Sequence, residues 1–92
     1  MAIDDFVSQS LIHPKALNID VEGAELLVLK GAQHTLYFDR PFCWVSIHPD
    51  LLERNYQSTP EDIHRFMSGC RYTQEFLDTD HEEHWFYRPE EK

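Results

Sequence analysis

Glycine is scarce in this chain, and so is positive charge. Only 3 glycines occur among 92 residues. Gly23, Gly31 and Gly69 form no G-x-G pair, so the glycine-rich turn that cradles a dinucleotide's phosphates is absent from these residues. Eight basic residues stand against 17 acidic ones, a formal net charge of −9. That balance argues against a nucleic-acid backbone or an anionic membrane surface as partner, and it fits a chain kept soluble by its acids. No apolar run approaches the roughly 20 residues of a membrane helix. The amino terminus, from Met1 to Asp5, has no basic stretch followed by an apolar one, so no signal peptide is expected and the cytoplasm is the expected compartment. Cys43 and Cys70 belong to no CxxC pair, which removes a zinc or redox framework and leaves buried, reduced thiols as the expectation.

What is present suits one small domain spanning residues 1–92. Hydrophobic residues make up 41% of the chain and aromatics 13%, enough for a core and against disorder. A chain of this length buries only about 60–65% of its unfolded surface, so its stability is expected to be modest. Residues 1–14 read as a lead-in segment ending in the turn at His13-Pro14. Ala16 to Val21 reads as a short strand, broken by Gly23. Ala24 to Phe38 is rich in helix formers, with Leu26, Leu29, Ala32 and Leu36 at helical spacing and an interruption expected at Gly31. Arg40-Pro41 ends that helix.

Phe42 to Ile47 is almost continuously apolar, the pattern of a strand covered on both faces. Strand, helix, strand in this order predicts a parallel pair. Asp50 and Glu53 have capping-box spacing for a short helix running to about Tyr56. Thr59-Pro60-Glu61-Asp62 is a stronger start signal, with a cap, a first-turn proline and two acids near the positive helix end. Ile63, Phe66 and Met67 form the apolar face of that helix, and Gly69 ends it. Tyr72 to Leu77 and His84 to Tyr87 read as two antiparallel strands joined through Asp78 to Glu83. Residues 89–92 read as a frayed tail. Trp44, Trp85, Phe86 and Phe66 are expected in the core. The fold class is therefore α/β: two parallel strands with helices, then an antiparallel hairpin.

One stretch carries a resemblance. Ile19-Asp20-Val21-Glu22-Gly23-Ala24-Glu25, followed by Leu29-Lys30-Gly31-Ala32, resembles the hallmark of FkbM-family methyltransferases. The Arg40-Pro41 pair before an apolar strand, the Ser46-Ile47-His48-Pro49 segment and the Asp80-His81-Glu82-Glu83-His84 segment are similar to later parts of that family. Asn18 stands where many members carry lysine, and Ser46 where many carry glutamate. The resemblance implies the class I, Rossmann-like methyltransferase sheet, seven strands with the last antiparallel. It places these strands as the fourth to seventh, so the chain would be the C-terminal half of that fold. It also implies S-adenosylmethionine as cofactor and a small-molecule or sugar-like acceptor methylated on oxygen. The half that carries the cofactor's glycine-rich turn is not among these residues, so this chain by itself is expected to be inactive.

Asp20 and Glu22 stand at the C-terminal end of a parallel strand, the edge where ligands bind in open α/β sheets. They lie on one side if the strand persists through Glu22. They suit orienting the cofactor's amino group, holding a cation or removing an acceptor's proton. Gly23 permits the tight turn into the helix, and Glu25 falls in its first turn, where its charge suits the dipole; structure is the expected role of both. His48 ends the next strand on the same edge and is a candidate general base or metal ligand at the acceptor site. The expected catalytic residues are thus Asp20 and His48, and the expected cofactor-binding residues Asp20, Glu22 and Gly23. Asp80, His81 and His84 are assigned to the substrate side by the resemblance. HxxH is a loose pattern, and no stable metal site is expected.

Two other readings remain. The chain would serve as a non-catalytic assembly module, associating through an uncovered edge of the first strand with itself or with a separately made cofactor half; a strictly monomeric chain in sedimentation across concentration counts against that reading. A weaker one is a metal-dependent hydrolase using Asp20, Glu22, His48 and the late histidines, which chelation of its metal would inactivate.

Overall fold

The computed structural model describes residues 2–10, 13–21, 23–79 and 82–90. Four strands form one mixed sheet: β1 (Ala16–Ile19), β2 (Phe42–Ile47), β3 (Tyr72–Thr79) and β4 (Glu83–Pro89). Their spatial order is β1-β2-β4-β3, with β1 and β2 parallel and β4 antiparallel to both of its neighbours. The last strand therefore inserts between the second and third. Composition accounts for this: β4 brings Trp85, Phe86 and buried Tyr87 to an inner position, whereas β3 is exposed at every residue after Tyr72. An inner strand needs such side chains on both faces.

The helices are α1 (Ile3–Ser10), α2 (Glu25–Lys30), α3 (Gln33–Phe38), α4 (Pro49–Tyr56) and α5 (Pro60–Gly69). They supply Leu29, Leu36, Leu52, Ile63 and Met67 to a core shared with Ile19, Cys43, Val45, Ile47, Tyr72 and Tyr87 from the sheet. Burial pushes the Cys43 thiol up to about 12, so it stays protonated and unreactive. Both cysteines are free and buried. The buried Tyr87 hydroxyl meets His64 Nδ1 at 2.7 Å, and Tyr72 donates to the Pro41 carbonyl at 2.7 Å.

Several expectations need correction. The lead-in segment contains α1, whose first turn carries Asp4 and Asp5 and whose Val7 is buried. The stretch from Ala24 to Phe38 becomes helical only at Glu25, and the interruption expected at Gly31 divides it into α2 and α3. At the break, the start of α1 and the residue before it approach the chain: a Cβ on Gly31 would lie 3.2 Å from Ala2 Cβ, and Asp4 N donates to Gly31 O at 2.9 Å. β1 stops at Ile19, so strand alternation does not govern Asp20. No capping box forms at Asp50 and Glu53, because α4 begins earlier, at Pro49 after His48. Thr59 and Asp62 do form one. β3 and β4 are longer than expected, and Glu90 N donates to Arg71 O at 2.9 Å beyond the end of β4.

β2 is not covered on both faces. Cys43, Val45 and Ile47 are buried, but Phe42 and Trp44 are 43% and 41% exposed. Trp44 is thus no core residue; it lies on the open face with Phe42 and Phe86, its ring centroid 4.8 Å from that of Phe86. No described helix is long and apolar enough to cross a membrane.

The second segment of the split helix is capped from a distance. Asp4 accepts from His34 N at 2.9 Å, Thr35 N at 2.8 Å and Thr35 Oγ1 at 2.7 Å. Partial burial raises this carboxyl, but the Thr35 hydroxyl and the amides outweigh it and hold it below its ordinary range. A carboxyl lowered on folding adds stability that is present above its unfolded value and is lost as pH falls through the folded one. Asp4→Ala is therefore expected to cost about 1–2 kcal/mol at neutral pH. The gap to the parent should close below about pH 4, as read from urea unfolding at several pH values. A gap that persists at low pH would rule the cap out as its source.

Candidate functional site

The C-terminal ends of β1 and β2 lie side by side, with Ile19 opposite Val45 in the parallel register. The turn after β1 closes through Ala24 N to Val21 O at 3.3 Å. Gly23 there has φ +101°, and a Cβ in its place would lie 2.8 Å from Leu51 Cβ. The turn is therefore packed against α4, and α2 starts immediately afterwards at Glu25.

Glu25 is fully buried. It lies one helical turn before Leu29, on the face that goes into the core. A carboxylate in that position needs donors, and three converge on it. Gly23 N donates to Oε2 at 2.5 Å, His48 N donates to Oε1 at 2.9 Å, and His48 Nδ1 stands 3.3 Å from Oε1. A carboxylate only accepts, so the Glu25 contact is a hydrogen bond in the ring forms that carry a proton on Nδ1. That fixes the imidazole and turns Nε2 outward.

Two further carboxylates meet Nε2. Asp20 Oδ1 is 3.5 Å away, and Glu82 Oε2 is in direct contact. Glu82 Oε1 in turn lies 3.6 Å from His84 Nε2, and His84 Nδ1 is 3.1 Å from Ser46 Oγ. Glu82 reaches this point because β4 pairs with β2 in the register that sets Glu83 opposite Ile47, next to His48. The side chains grade from hidden to open: Glu25 is at 0%, His48 at 15%, Glu82 at 21% and Asp20 at 54% exposure.

Of the residues expected from sequence, Asp20, His48 and His84 thus belong to one network. Gly23 joins it through its amide, which is engaged by Glu25. Glu22, Asp80 and His81 lie outside the described residues. Sequence reasoning passed over Glu25 as a ligand of His48, and Glu82 as a partner of it. The signal for Glu25 was its place in the apolar series of Leu29, Ala32 and Leu36, where a solvated helix start has no reason to fall. Glu82 carried no comparable signal, because its role depends on the strand order.

The arrangement is a histidine backed by a buried carboxylate and faced by two open ones, at the sheet edge where ligands bind in open α/β folds. A family model described as the methyltransferase FkbM domain matches residues 1–73. The chain belongs to the FkbM methyltransferase family. The matched stretch of this FkbM chain contains Asp20, Glu25 and His48, while Glu82 and His84 come from beyond it. No curated protein and no solved structure matches the chain.

Proposed function

We propose that this FkbM chain forms the acceptor side of an S-adenosylmethionine-dependent methyltransferase acting on an oxygen of a small-molecule or sugar-like substrate. The observation that carries this reading is His48, locked by buried Glu25 and facing Asp20 and Glu82 at the ends of two parallel strands. The four strands are taken as the fourth to seventh of the class I sheet. An antiparallel strand held between two parallel-running neighbours supports that assignment.

When bound, S-adenosylmethionine supplies an electrophilic methyl group. The chain's own residues position the acceptor and handle its proton. Asp20, the most exposed member, meets the acceptor hydroxyl and takes its proton, with His48 Nε2 3.5 Å from its Oδ1. Gly23 sets the turn that brings Glu25 under His48. Its amide is engaged and its Cα faces Leu51, so direct contact with the cofactor falls to Asp20 before Gly23.

The test is an NMR titration of the chain with S-adenosylmethionine and with its demethylated product. Saturable shifts centred on residues 20–24 are expected. A folded chain showing no saturable shift at millimolar ligand would remove cofactor binding from these residues.

A further inference from the structure

We propose that Asp20, His48 and Glu82 form a binding site for one divalent metal ion, which holds the acceptor's hydroxyl oxygen during methyl transfer. The metal site stands on its own geometry; its role in turnover rests on the methyltransferase reading above.

Three observations converge. The ligand atoms of Asp20, His48 and Glu82 all lie within 4.8 Å of one another. Ligands about 2.1 Å from a common metal ion stand about 3.0–3.4 Å apart, close to the 3.5 Å between His48 Nε2 and Asp20 Oδ1. Glu82 needs only to draw back slightly from Nε2 to admit an ion, and its other oxygen has His84 as a partner.

The second observation is the support behind the histidine. Metal-bound histidines commonly donate their other ring N–H to a carboxylate or a backbone carbonyl, which fixes the tautomer and raises the basicity of the ligating nitrogen. Glu25 provides that carboxylate, fully buried and additionally anchored by two backbone amides. A general surface ion pair requires no such construction.

The third is charge. Asp20, Glu25 and Glu82 bring three carboxylates to one imidazole. A divalent cation suits a point where three carboxylates meet one imidazole. One nitrogen and two carboxylate oxygens suit ions of the manganese, iron or zinc kind better than magnesium or calcium, which take oxygen ligands almost exclusively. The three protein ligands leave coordination positions for water and an acceptor.

The chemistry balances simply. A hydroxyl oxygen bound to the ion loses its proton more readily. The proton passes to Asp20 Oδ2, the carboxylate oxygen not on the metal. The oxygen's electron pair forms the new bond to the methyl carbon as that carbon's bond to sulfur breaks.

The experiment uses the metal alone. Mn2+ is titrated into the chelator-treated chain, with free Mn2+ followed by electron paramagnetic resonance and the bound site by amide broadening in NMR; Zn2+ is then added in competition. One saturable Mn2+ per chain is expected, with broadening centred on residues 20, 48 and 82, displaced by Zn2+. Asp20→Asn and Glu82→Gln are each expected to weaken binding at least tenfold, and Glu25→Gln by about 10- to 100-fold. Asp20 is exposed enough that its variant should fold, and an unchanged amide spectrum elsewhere confirms it. Binding that is absent, that neither Asp20→Asn nor Glu82→Gln weakens, or that broadens residues 50–54 instead overturns the proposal. Because the readout needs neither cofactor nor acceptor, failure here is distinct from failure of the methyltransferase reading.

Discussion

Glu25→Ala is expected to lower the chain's stability by about 3–5 kcal/mol, because it removes the one acceptor that three converging donors share. A domain of this size has only about 5–14 kcal/mol in total. The loss has an identifiable origin. The Gly23 and His48 amides and the His48 ring all direct donors at one fully buried carboxylate. Removing it leaves those groups short of a partner at about 1–3 kcal/mol each, and water cannot easily reach the innermost of them. Glu25→Gln keeps one acceptor oxygen and nearly the same shape, so its loss should be clearly smaller. Urea unfolding of the three proteins should rank them parent, Gln, Ala. An Ala variant within about 1 kcal/mol of the parent would mean that the carboxylate does not organise this edge.

Gly23→Ala is expected to cost about 3 kcal/mol through two separate effects. At φ +101° an L side chain strains the backbone, and the added Cβ would lie 2.8 Å from Leu51 Cβ and 3.0 Å from Leu51 C. The collision is with parts of Leu51 that alanine also has. Leu51→Ala should therefore fail to rescue Gly23→Ala, and a double-mutant cycle should give a coupling near zero. A strong rescue would show that the clash comes from the outer leucine side chain. The same variant should loosen His48, because Gly23 N is the donor that holds Glu25 Oε2. Resonances of the His48 ring report that displacement directly.

Much of the architecture was legible because local chemistry specifies it. Thr59 and Asp62 make a capping box whatever packs around them, and α5 starts where they indicate. Phe42 to Ile47 is rich in β-branched and aromatic side chains, and β2 has those bounds. Gly23 announces a tight turn. The misreadings share a cause. α1 was hidden in the lead-in segment because its stability comes from Asp4 docking on α3 across the fold. The break at Gly31 was legible as a glycine inside a helical series, whereas the close approach of Ala2 and Asp4 to it was not. The continuous apolarity of β2 reads alike whether its second face is covered or, as here, shared with Phe86 and left half open.

The candidate site divides in the same way. By itself the sequence determined the family resemblance, the two parallel strand ends and the presence of Asp20 and His48 on one edge, because motif, turn and strand pattern are all written within short stretches. Only the tertiary structure decided which groups meet. Insertion of β4 beside β2 carries Glu82 to His48, and burial of the first turn of α2 puts Glu25 beneath the imidazole. Both depend on strand order and helix packing. These bring together residues far apart in the chain, where spacing along the sequence holds no record of their distance in space.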